Sequence, residues 1–269
     1  MAIVVPIISS FDNRGIQKAI ADFKNLNGAG QRSAFALMNT NKAVNTAAKN
    51  FAKLGAVGAG LAGVIGGSLV KAAYESQRVM KQTDAIIKAT GGAAGLTGDQ
   101  VAKLSQKLSL QTGVDDELIQ TSMNLLLTFK AVRNEVGAGN DIFNRASQAA
   151  LDLGNVFGST DAAAVQLGKA LSNPLKGVTA LRKSGVDFTE SQIKQIKTFV
   201  ESGKVLEAQK LILAEVEAQV GGTAKATATG FDRMKVAIGN VQENLGNLLI
   251  PAVERFADGI INKVLPVLD

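Results

Sequence analysis

Between Gln31 and Thr90 apolar or small residues recur by alternate steps of three and four: Ala34, Leu37, Val44, Ala48, Phe51, Gly55, Gly58, Ala62, Ile65, Leu69, Ala72, Val79 and Ile86. Only Asn41, Ser76 and Thr83 are polar at these positions. The repeat is the ~3.5-residue period of a coiled-coil seam, and no Pro interrupts it. It predicts one helix over about 31–90, roughly 90 Å long at ~1.5 Å per residue. Leu37, Asn41, Val44, Phe51, Ile65 and Leu69 stand in its seam, with Asn41 as a polar register setter. Packing between chains is the favoured reading of this seam, and packing on the chain's own domain is the plainer alternative.

The flanks follow different patterns. Residues 2–8 are apolar and β-branched, which suits a short strand that Pro6 confines to an edge or an extended tail. Ile16, Ile20, Phe23 and Leu26 then mark a short helix, ended near Gly28. Residues 91–98 read as a Gly-rich linker. Residues 99–220 carry short helical patterns with Gly and Pro stops, which predict a compact all-α domain. The expected start signals are Thr112 with Asp115, Ser159, and Thr189 with Gln192. Residues 221–230 read as a second linker. An amphipathic helix follows from Phe231, is broken at Pro251 and resumes to the end at 269. The fold class is therefore all-α: a long coiled-coil-like helix, a compact helical domain and a short N-terminal strand.

Composition narrows the chemistry. The 269 residues include no Cys, no His and no Trp. Disulfides, thiolate metal sites and cysteine nucleophiles are excluded, and so are the commonest general base and metal ligand. Paired carboxylates occur at Asp115-Asp116-Glu117, at an expected helix N-terminus where the dipole favours anions. Tyr74 is the single tyrosine. No phosphate-binding glycine motif is present. No catalytic residue, metal ligand or cofactor is expected, and the chain does not read as an enzyme.

Charge is unevenly placed. Arg14, Lys18, Lys24, Arg32, Lys42, Lys49, Lys53 and Lys71 face only Asp12 and Asp22 over residues 1–71. This surplus equals the whole net charge of +6. A basic arm on a neutral body suits a negatively charged surrounding.

Leu54 to Val70 carries no charged residue and spans about 26 Å as a helix, slightly short of a ~30 Å bilayer core. Gly55, Ala59, Gly63 and Gly67 form one row of small residues, and Gly58, Ala62 and Gly66 a second. Such rows let helix backbones approach closely. A buried seam between copies is favoured over a membrane span. A membrane-active protein that inserts 54–70 is the main rival reading, and a basic nucleic-acid binder a weaker one.

Residues 164–224 add a more specific signal: Pro174, Gly185, Phe188, Thr189, Gln192, Gly203, Gln209, Gly221 and Gly222, set among Leu167, Leu181, Ile196 and Ile212. This block resembles the shared module of phage tail tape measure proteins, and 231–256 is similar in style. The opening FDNRGIQKAIADFKNL with a basic Ala-rich helix behind it is similar to the starts of such proteins from phages of Gram-positive hosts. The resemblance implies a structural protein of the virion that fills the tail tube lumen and sets tail length during assembly. It implies release at infection to help DNA cross the host envelope. The implied partners are further copies of itself (a trimer before a hexamer), tail tube and tail tip proteins, tail assembly chaperones, the host membrane during infection, and passing phage DNA. Tape measures far exceed the ~400 Å that 269 helical residues reach, so the chain reads as the N-terminal portion of a longer polypeptide.

Overall fold

In a computed structural model, residues 59–183 and 185–259 are described, and every regular element among them is a helix. The chain divides into two compact units at Gly60–Leu61. The described helices belong to the second, save Ala59 and Gly60. The predicted N-terminal strand, the basic groups Arg14 to Lys53, the seam residues Leu37, Asn41, Val44 and Phe51, and Gly55 and Gly58 lie outside the described residues.

Helix α1 spans Ala59–Ala89, so the small residues Ala59, Ala62, Gly63, Gly66 and Gly67 and the seam residue Ile65 fall in its first turns. Three left-handed glycines, Gly91, Gly92 and Gly95, turn the chain into α2, Gly98–Thr112. Thr97 caps α2 in a full capping box with Gln100. Helix α3 is Asp116–Leu127. Its cap is Asp115, which accepts from the Leu118 amide at 3.3 Å. Thr112, expected as part of that cap, instead ends α2 and donates its hydroxyl to Leu108 O at 2.8 Å. A threonine next to a left-handed Gly113 closes a helix more readily than it opens the next one.

The central layer is α4, Ile142–Phe157, and α5, Thr160–Ser172, capped by Ser159. Helix α6, Pro174–Lys183, starts with Pro at its first position, where the missing N–H costs nothing. Helix α7, Glu190–Glu201, has the expected Thr189–Gln192 capping box. Helix α8 is Val205–Val220. The expected linker 221–230 contains a five-residue helix, α9, Thr223–Thr227. Helix α10, Gly230–Gly259, runs on through Pro251. The proline removes one intrahelical hydrogen bond without ending the helix.

The core is made where α4 meets α3, α5, α8 and α9, and where α5 meets α3 and α6. Phe143, Leu126, Leu167, Leu171, Leu181, Ile212 and Leu213 are fully buried in it. Buried polar groups pin distant parts together. The Asp152 carboxylate on α4, 1% exposed, accepts from the amides of Gly222 (3.1 Å) and Ala224 (3.0 Å). It thereby takes up two of the open amide donors at the start of α9. Arg145 forks onto Glu217 through Nε and a terminal nitrogen, both at 2.8 Å.

Candidate functional site

The nine residues carrying the family resemblance occupy structural positions. Gly185 (φ +98°), Gly203 (φ +74°) and Gly222 (φ +80°) make left-handed turns that side chains disfavour. Gln209, 4% exposed, donates its amide to Ala131 O and Leu171 O, each at 2.9 Å. Phe188 is buried, and Thr189 with Gln192 forms a cap. Pro174 starts α6, and Gly221 closes α8. Each one shapes a turn, a cap or an inter-helix bond; none converges with the others on a cleft.

From Leu69 onward α1 packs on this chain. Leu69, Ala73, Val79 and Thr83 are buried. A Cβ placed on Gly246 of α10 would lie 2.0 Å from Leu69 O, so the two backbones are in direct contact. Gln77 donates to Asn247 at 3.1 Å. Thr83 lies between Gln120 and Asn124 of α3: its hydroxyl accepts from Gln120 Nε2 at 2.7 Å and lies 2.8 Å from Asn124 Oδ1. Tyr74 stands on the outer side of α1, 40% exposed beside Val70, Lys71, Glu75 and Arg78. Lys71, the last of the basic series, lies 3.9 Å from Glu75.

No protein-family model, curated protein or solved structure matches this chain.

Two features of α10 stand out. The first is acidic. Asp116 on α3 is 6% exposed, and its carboxylate, that of Glu117 and that of Glu243 on α10 bring oxygens within 4.8 Å of one another. Asn240, with its amide turned to donate, reaches Asp116 at 3.3 Å. Burial, then the charges of Glu117 and Asp115, push Asp116 up to about 7. Burial, then the charges of Glu117, Asp116 and Asp115, push Glu243 up to about 8. The sequence places Asp115 and Asp116 at a helix N-terminus; it does not reveal that α10 brings Glu243 to them.

The second feature is apolar. Phe231, Met234, Ile238, Val241, Leu245 and Leu248 follow one another by three and four residues along α10. Phe231 (68%), Met234, Ile238 and Leu248 are exposed, while Val241 and Leu245 are half-covered. The opposite side, with Val236, Gly246 and Ile250, is buried in the chain. The helix thus has a docked face and a free heptad face. Among the described residues no helix is long and apolar enough to cross a membrane. Residues 54–58 of the expected insertion segment lie outside them.

Proposed function

We propose that this chain is a non-enzymatic structural protein, a phage tail tape measure protein or its N-terminal portion. In this reading it fills the tail tube lumen in several copies, sets tail length during assembly and leaves at infection to help DNA across the host envelope. The observation that carries the proposal furthest is the free heptad face of α10. A stripe spaced at ~3.5 residues matches another helix with the same period, and a second copy supplies one. The resemblance over 164–256 supports the family, and its motif residues build turns, a helix cap and an inter-helix bond. The basic groups Arg14 to Lys53 would face an acidic lumen or passing DNA. Copies of itself, trimeric before hexameric, are the first partners; tail tube and tip proteins, assembly chaperones and the host membrane follow from the family.

Tail length tests the ruler. Inserting about 35 helix-forming residues in heptad register between Arg32 and Lys53 of the phage-borne protein lengthens tails by roughly 50 Å in electron micrographs. Tails of unchanged length remove the ruler role of this segment and leave a tail-end plug or a membrane-active module.

A further inference from the structure

Among the described residues helix α10 has few buried apolar anchors. Val236 and Ile250 are buried, and Gly246 meets α1 backbone to backbone. Between them sits the carboxylate cluster, which bridges α10 to the N-terminus of α3. The charged groups around it are of one sign at close range. From α3 come Asp115, Asp116 and Glu117, and from α10 Glu243. Lys235 of α10 lines a cleft with Asp115, and Asp232 lies against Gly113. Helix α2 ends there in neutral Thr112 and Gly113, with Lys103 and Lys107 exposed. Helix α1 contributes neutral Ala73, Gln77 and Thr83, while its Lys71, Glu75, Arg78, Lys81 and Asp84 are exposed. Among the described residues no Lys or Arg forms an ion pair with Asp116, Glu117 or Glu243.

Three carboxylates packed this closely, one of them buried, cannot all ionise without strong repulsion. We propose that the contact between α10 and the α2–α3 corner is a proton-held latch: protonated, the cluster lets α10 lie docked, and ionised, it drives the helix off. The direction follows from linkage. Burial and the charges of Glu117 and Asp115 at its own helix end hold Asp116 up at about 7, whereas Glu243, ordinarily near 4.5, reaches about 8 where docking buries it against Glu117, Asp116 and Asp115. The docked state therefore holds more protons than the released one over the interval between these values. Docking is strongest at the acid end of that interval and weakens as pH rises through it. The device does not depend on the tape measure reading; it needs only the geometry of α3 and α10.

Hydrogen exchange on the full chain, in chelator so that protons are the only variable, tests the latch. After correction for the intrinsic exchange rate, amides in 236–250 lose protection between pH 5 and pH 8. The loss reaches up to about tenfold per pH unit for each proton released. Amides of α4 and α5 keep theirs. E243Q, which removes one of the three charges from the docked face of α10, makes the loss shallower. E243K pairs a cation with Asp116 and Glu117 and keeps 236–250 protected at pH 8. Gly246→Val, which collides with Leu69, releases α10 at every pH and marks the open state. The proposal is overturned by a flat profile from pH 5 to pH 8 in the unaltered chain, by absence of protection at pH 5, or by a fall that E243Q and E243K leave unchanged.

Discussion

Single atoms decide several joints of this fold. Asp152 is the plainest case, because its two carboxylate oxygens receive the amides of Gly222 and Ala224 and nothing else caps α9. Asp152→Ala leaves these donors without a partner next to the core, and hydrogen bonds to a charged group are worth ~1.5–3 kcal/mol each. Urea unfolding of this variant should show a loss of about 3 kcal/mol, with Asp152→Asn recovering part of it. Glycines divide by what surrounds them. A Cβ on Gly177 would lie 2.0 Å from the Ala170 Cα, so Gly177→Ala should force α6 away from α5 and cost about 1–3 kcal/mol. A Cβ on Gly239 would meet nothing within 4 Å. Gly239→Ala should therefore stabilise α10 by up to about 1 kcal/mol. Thermal melts of the two variants should move in opposite directions.

At the scale of elements, what can be read from sequence is what is local. Thr189 with Gln192 and Ser159 announce their helices because a cap and its partner lie within three residues. Thr97 with Gln100 carries the same signal inside a Gly-rich stretch that reads as linker, and there the glycines outweigh it. Thr112 and Asp115 have the right spacing for a box but belong to two different helices, a distinction that depends on Gly113 turning left-handed. Helix α9 is illegible in sequence because five residues carry no periodicity; it exists through a carboxylate some seventy positions away. The candidate site divides the same way. Asp115 and Asp116 stand out in the sequence, whereas Glu243 joins them only through the docking of α10. The seam of α1 shows how a period specifies a partner's geometry without its identity. Leu69, Val79 and Thr83 meet helices of the same chain.

At the scale of the whole molecule, α10 is where internal packing and assembly meet. Its buried face holds it to the chain, and its free face offers Phe231, Met234, Ile238 and Leu248 outward. If copies associate there, Ile238→Asp combined with Leu245→Asp places carboxylates in the seam. Sedimentation should then shift from an oligomer to the single chain, with the melting temperature of the α4–α5 core unmoved. Association that survives both substitutions would assign self-assembly to another surface. The latch and the seam sit on opposite faces of one helix, so release of α10 by rising pH also changes how its outer stripe is presented.

Tyr74 gives the molecule a built-in lamp. The chain has one tyrosine and no tryptophan, so all its tyrosine emission arises from a single turn of α1, on the helix whose other side meets Gly246 and Gln120. Brightness and quenching by iodide report the surroundings of that turn alone, and polarisation reports how firmly it is held to the tumbling chain. The motion of this helix can be followed in the unaltered protein without attaching a dye.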